Sequence, residues 1–248
     1  MHLAHQNRAE SVKVRQILKA AELATALDAG SLVKRYLSDA ESQLLQDLFC
    51  VIATQEKKDG FFIEVGVGDG RHISNTYMLE KRLGWRGILV EPNRSFKDSI
   101  ERQRDAQLIE QAATSRTGDT IVFEEESEGV FSGLASFKRK NDRSQSSKRY
   151  NVKSITLDKV LEESGAPRQI DYLSIDTEGS ELDILAGLSI DRYEIGCLSI
   201  EHNYVSRTLR ELDLLLCPSG YTRVLSEVSE FDAWYVRSDS HLLAVLDT

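Results

Sequence analysis

Between Phe61 and Gly70 the chain reads FFIEVGVGDG, a short apolar run followed by a turn that carries three glycines and two carboxylates in seven residues. Gly66, Gly68 and Gly70 permit a sharp bend and let backbone approach a ligand with no Cβ in the way. A helix is predicted from about Ser74, and its free N–H groups would point into the same space. A dinucleotide pyrophosphate needs the spacing G-x-G-x-x-G. Here Gly70 comes one residue early and Arg71 stands where the third glycine belongs. Glu64 and Asp69 would also repel a pyrophosphate. They match the sulfonium and ammonium groups of S-adenosylmethionine better. The bland alternative is a strand-to-helix turn with no ligand, for which three glycines and two acids are an extravagant composition.

Three further groups of residues are able to do chemistry. Glu91 closes the run GILVE, where an acid can accept from both hydroxyls of a ribose; alone it would more often cap a helix. Asp176, Glu178 and Glu181 follow one apolar run, and Glu201, His202 and Asn203 follow another. In an in-line methyl transfer the acceptor must sit about 3 Å from the methyl carbon, and a hydroxyl acceptor must lose a proton. His202 has a suitable intrinsic pKa. Asp176 or Glu201 would serve if burial raised theirs. Asp176, Glu201 and His202 are therefore the candidate catalytic residues. The same three offer ligands to a divalent ion such as magnesium, which would acidify a bound hydroxyl. Against this, Asp176 and Glu178 are placed to cap a helix beginning near Ser180. His202 is placed to be a structural hydrogen-bonder, and Glu181 reads as a solvated first-turn acid.

The elements that must position these residues alternate. From Gly60 onward, short apolar runs at Phe61–Val65, Gly87–Val90, Gln107–Ile109, Thr120–Phe123, Ile170–Ile175, Ile195–Ile200 and Tyr221–Leu225, with Trp234–Val236, are separated by helical stretches. That pattern predicts a mostly parallel sheet with helices on both faces, whose ligands bind at the carboxyl ends of the strands. The closeness of the last two runs predicts an antiparallel hairpin at one end of the sheet. Ahead of the sheet, helices are predicted over about Glu10 to Ala29, with Gly30 as a stop, and about Asp39 to Thr54. They divide the chain into an N-terminal arm or cap (1–58) and a cofactor-binding domain (59–248). The arm is placed to cover a site or to make a homodimer.

Composition narrows the partners. A net charge of −9 disfavours general nucleic-acid or anionic-membrane binding. The basic stretch Lys138–Arg149 reads as a solvated loop. Cys50, Cys197 and Cys217 are too few and scattered for a disulfide framework; Cys50 and Cys197 lie in apolar runs and are expected in the core. The chain has no signal-peptide core and no apolar stretch of membrane-spanning length, so a cytoplasmic location and no membrane span are expected.

Several segments together resemble the FkbM family of methyltransferases: SQLLQDLF, DGFFIEVGVGDG, SNTYMLEKRLGWRGILVEPN, SGLASF, TLDKVL, DYLSIDTEGSELDIL and LSIEHNY. The resemblance runs from about Ser42 to Val236. It implies a class I methyltransferase fold, a Rossmann-like, mostly parallel seven-stranded sheet, with S-adenosylmethionine as donor. It implies that Glu64, Gly66, Asp69 and Gly70 line the methionine end of the cofactor. Ser74 and Asn75 would reach its carboxylate, Glu91 would hold the ribose, and Ala112 with Ala113 would lie against the adenine. The implied acceptor is a small molecule or glycan: a sugar, a glycan precursor or a natural-product hydroxyl. Specificity is expected in the arm, in Glu124–Arg149 and around Asn203–Arg207. Two other readings compete: a nicotinamide-dependent reductase, against which the missing third glycine speaks, and a binding protein that has kept the fold and lost transfer.

Overall fold

The computed structural model describes residues 17–125, 133–134 and 148–246. In chain order the elements are α1 (17–26), α2 (Gly30–Tyr36), α3 (Gln46–Ala53), β1 (Phe61–Val65), α4 (Tyr77–Leu83), β2 (Arg86–Val90), α5 (Lys97–Gln103), β3 (Gln107–Ile109) and β4 (Ala112–Ala113). Then come β5 (Thr120–Glu125), β6 (Gly133–Leu134), β7 (Lys148–Ile155), α6 (Leu157–Glu163), β8 (Gln169–Ile175), α7 (Glu181–Leu185) and β9 (Glu194–Glu201). The chain finishes with α8 (Ser206–Leu216), β10 (Tyr221–Val224), α9 (Ser226–Ser229), β11 (Asp232–Arg237) and α10 (His241–Leu246).

Seven strands form the main sheet in the order β10-β11-β9-β8-β1-β2-β3. β11 runs antiparallel to both its neighbours, and the other pairings are parallel. Sequential strands on one side of β1 and later strands on the other put a switch point between β1 and β8, where open α/β sheets bind ligands.

Register divides the sheet's residues between two faces, because paired residues share a face and neighbours along a strand do not. Ile63, Val65, Ile88, Val90, Leu173, Ile175, Leu198, Ile200, Ala233 and Tyr235 belong to a core that includes side chains of α6, α7 and α8. Phe62, Leu89, Tyr172, Cys197, Trp234 and Val236 belong to a second core on the opposite face, with side chains of α1 to α5 and α10. The N-terminal arm therefore shares a core with the sheet, and position 58 is no boundary between cores. Phe49 of α3 stacks on Trp234 at 4.7 Å. Buried Lys19 of α1 donates to the Val228 carbonyl and pairs with Glu230 at 2.8 Å.

The arm differs in detail from its expectation. Gly30 opens α2 instead of stopping α1, and the reversal falls on Asp28 at φ +47°; Asp tolerates the left-handed region better than most residues. The second helix starts at Gln46, not near Asp39, because the buried Asp47 carboxylate accepts from Glu41 N, Ser42 N and Ser42 Oγ, folding that stretch into a turn. Thr120–Phe123 is a strand, but of a separate four-stranded sheet, β4-β7-β5-β6. Its strand β7 begins at Lys148, inside the stretch read as a solvated loop; residues 138–147 of that stretch lie outside the described residues. The closing hairpin β10–β11 is as expected. Cys50 and Cys197 are buried and free.

Candidate active site

The glycine turn leaves β1 at the switch point. Gly66 adopts φ +84°, and a Cβ there would lie 1.7 Å from the Asp176 carbonyl oxygen, so only glycine lets β1 and β8 end side by side. Gly68, at φ +59°, meets nothing within 4 Å of where its Cβ would stand. That leaves open space beside the turn, where a ligand could approach the backbone.

Carboxylates organise the turn from behind. Glu91 Oε2 accepts from Val67 N at 2.9 Å and Gly68 N at 3.0 Å, and Oε1 accepts from Asn93 N at 2.8 Å. Burial pushes the Glu91 carboxyl above its ordinary pKa, opposed by these three amides. Oε1 keeps lone-pair capacity for a ribose hydroxyl. Asp69 Oδ1 accepts from Arg71 N and His72 N at 2.9 and 2.8 Å.

Glu64 is 1% exposed and accepts from Ser74 Oγ (3.0 Å to each oxygen), Asn75 N (2.6 Å) and Thr76 Oγ1 (2.6 Å). Arg104 Nη1 adds a contact at 3.4 Å. Its carboxylate is thus spent inside the protein, holding the stretch that follows the turn. The free helix-end amides expected near Ser74 are not free either. The helix starts at Tyr77; Asn75 N goes to Glu64, while Thr76 N and Tyr77 N go to Ser74 Oγ. Ser74 thus gathers the amides that lead into α4 and is itself buried. Asn75 donates its Nδ2 to Ser174 Oγ at 2.8 Å and keeps a buried Oδ1 with no partner. Ala112 is buried at 2% in the small sheet's core with Phe123, Leu134 and Val152, so its methyl faces those residues. Ala113 packs into the core beneath the main sheet.

Across the sheet from the turn, one face becomes progressively more polar toward the strands' carboxyl ends. Tyr172 and Cys197 are followed by Ser174 and Ser199, and then by Asp176 and Glu201. Tyr172 OH and Ser199 Oγ lie 2.6 Å apart, and Ser199 Oγ donates to Ser174 Oγ at 3.4 Å. β11 supplies Asp232 beside Glu201 by direct register. Asp232 is 3% exposed, with Oδ2 accepting from Gln46 Nε2 at 2.9 Å, and Oδ1 without a partner. Burial, then Asp232 and Glu181, pushes Asp176 up to about 7. Burial, then Asp176, pushes Glu201 well above the carboxylate range. Burial pushes Asp232 up to about 7.

His202 is not brought into this row. It is one residue past Glu201, so alternation turns it to the opposite face. There its side chain meets the Asp232 backbone, with Arg223 of β10 and Asp213 of α8 nearby; burial lowers its pKa, and Nδ1 is buried without a partner. The third oxygen donor near Asp176 and Glu201 is Glu178, the three offering oxygens within 4.8 Å of one another. The oxygen set that a hard cation would meet is thus Asp176, Glu178 and Glu201, in place of the expected set with His202. Glu181 is not solvated: at 2% exposure its Oε1 accepts from Thr177 N, Thr177 Oγ1 and Gly179 N.

The model for the methyltransferase FkbM domain matches residues 64–223, from the buried acid of β1 to β10. The chain belongs to the FkbM methyltransferase family. It is an S-adenosylmethionine-dependent methyltransferase on a class I sheet. Among solved structures it is similar to the precorrin-6y C5,15-methyltransferase of Geobacter metallireducens GS-15, at 10% identity over 77% of this chain and 84% of that one, TM-score 0.41. It is also similar to the plantazolicin methyltransferase BpumL in complex with a triazolic desmethylPZN analog and SAH, at 11% identity over 94% and 99%, TM-score 0.43. A comparison with curated proteins found no match. No helix of this methyltransferase, among the described residues, is long and apolar enough to cross a membrane.

The residues present fit the cofactor. The open side of Gly68 provides the cradle, and Glu91, at the end of β2, keeps acceptor capacity for a ribose. The acids Asp176 and Glu201 stand at the carboxyl ends of β8 and β9. Sequence reading missed Asp232 and Arg104. Asp232 opens a strand instead of following one, and Arg104 belongs to no motif; Glu178, read as a helix-capping acid, lies in a turn at φ +59°.

Proposed function

We propose that this methyltransferase methylates a hydroxyl on a small, hydroxyl-rich acceptor, a sugar, glycan precursor or natural-product intermediate, in the cytoplasm. The observation that carries the reading is the row Asp176–Glu201–Asp232 on the cofactor's face of the sheet, with Glu178 beside it. Such a row is proton-hungry and rich in acceptors, and hydroxyl groups bring the donors it lacks. Buried acids that raise one another's pKa cost stability, and such groups cluster at working sites. The contact of two reduced thiols, Cys50 and Cys197, suits a reducing compartment.

When bound, the cofactor supplies an electrophilic methyl carbon on a sulfonium; the rest is done by the chain. The Gly68 cradle and Glu91 fix the nucleoside. Glu201 holds a proton at neutral pH. Asp176, balanced near 7, is the group able to accept the hydroxyl's proton while staying within hydrogen-bond reach. The sites proposed are therefore Gly66, Gly68, Asp69, Gly70 and Glu91 for the cofactor, and Asp176 with Glu201 for proton transfer. Glu64, Ser74 and Asn75 shape the pocket from behind.

The test uses S-adenosylmethionine labelled in its methyl group with a panel of free sugars, glycosides and polyhydroxylated natural products, with amines as controls. Label in an ether product that survives EDTA supports the reading. Transfer only to amines overturns it, and loss of activity in EDTA restored by magnesium would replace the base with a cation at the same three oxygens.

A further inference from the structure

We infer that Arg104 is a positioning residue for cofactor binding: it holds the glycine turn in its receptive shape without touching the cofactor. The inference rests on the reading that the turn is the cofactor's seat.

Arg104 closes α5, far in sequence from the turn, and its side chain is fully buried. Its guanidinium reaches five groups from three successive pieces of the site. Nη1 donates to the Gly70 carbonyl at 3.1 Å, to Ser74 Oγ at 3.2 Å and to Glu64 Oε2 at 3.4 Å. Nη2 donates to Thr76 Oγ1 at 2.8 Å, and Nε to Glu80 Oε2 at 2.9 Å. The ring faces of Phe62 and Tyr77 lie 5.5 and 5.8 Å from it. One planar fork thus ties the last residue of the turn to β1 and to the first residues of α4.

Charge explains why an arginine is needed. Glu64 and Glu80 are buried carboxylates, and burying an unpaired one is expensive. Arg104 pairs with both, and Lys81 completes the balance on Glu80 at 2.7 Å. A lysine in place of Arg104 would keep the charge but cannot bond in five directions in one plane. With the fork gone, the Gly70 carbonyl and Ser74 lose their common anchor, and the turn loses its fixed relation to Gly68.

The experiment compares R104K and the milder, near-isosteric T76V with wild type by calorimetric titration of S-adenosylhomocysteine, below each protein's unfolding transition. Expected is a rise in Kd of tenfold or more for R104K and several-fold for T76V. The KM for S-adenosylmethionine should rise in step, and kcat at saturating cofactor should stay within twofold. A folded R104K with wild-type Kd overturns the inference, whatever its Tm. If R104K does not fold, T76V decides, and a wild-type Kd for T76V overturns it. Failure of the wild type itself to bind S-adenosylhomocysteine would instead refute the cofactor reading.

Discussion

The two faces of the central sheet are made by the same strands, residue by alternate residue, yet they end differently. On one face Val65, Ile175 and Ile200 stay apolar to the strand ends and pack against α6, α7 and α8. On the other, the rows pass from Phe62, Tyr172 and Cys197 to Glu64, Ser174 and Ser199, then to Asp176, Glu201 and Asp232. One face maximises burial. The other gives up apolar side chains near the carboxyl ends to gather buried acids whose proximity is costly. The acids fall on one parity of a period-two pattern, and a one-residue shift, as at His202, is enough to leave their row.

The sharpest way to break the comparison is a change on the acidic face that should cripple catalysis and help folding. Asp176→Asn is expected to lower kcat by about 10² to 10⁴. The native protein binds a proton at Asp176 up to about pH 7, whereas the unfolded chain releases it near its ordinary, lower pKa. Stability therefore falls as pH rises through that window, and the penalty is complete above it. The same variant should thus melt higher than wild type at pH 8, by roughly 2–4 °C for each kcal/mol relieved. A lowered Tm with full activity would mean that Asp176 is structural.

The matching change on the apolar face should do the reverse. Ile200→Ala removes a fully buried side chain and is expected to cost about 2–5 kcal/mol in denaturant unfolding. Its Kd for S-adenosylhomocysteine should stay within twofold of wild type. A large loss of affinity with little loss of stability would dissolve the distinction between the faces. Smaller still is the pH effect. With Asp176 as proton acceptor, log kcat should rise with slope one up to about pH 7 and level off above. A profile flat from pH 5 to 8 would remove Asp176 from proton transfer.

Much of this face was legible in the sequence. The four parallel strands β1, β2, β8 and β9 stand out as apolar runs, and glycines and acids at their ends mark the turn, Glu91, Asp176 and Glu201. The antiparallel strand defeats that rule. β11 enters the sheet in reverse, so its first residue, Asp232, reaches the edge where the other strands end. The sequence DAWYV carries the acid before the run, not after it. The small sheet was obscured for another reason. β7, KRYNVKSI, is charged and half exposed, and β4 is two residues long, so neither forms a recognisable apolar run. Arg104 and the inward-turned Glu64 form a contact 40 residues apart in sequence, which no local pattern encodes.

The most direct measurement is titration of S-adenosylhomocysteine and of NADH into wild type and Gly68→Val. A valine at φ +59° would fill the open cradle and strain the turn. The account predicts one-to-one binding of S-adenosylhomocysteine to wild type, weakened at least about tenfold (about 1.4 kcal/mol) in the variant, and no binding of NADH. Binding of NADH alone, or unchanged affinity for S-adenosylhomocysteine in a folded Gly68→Val protein, would contradict it.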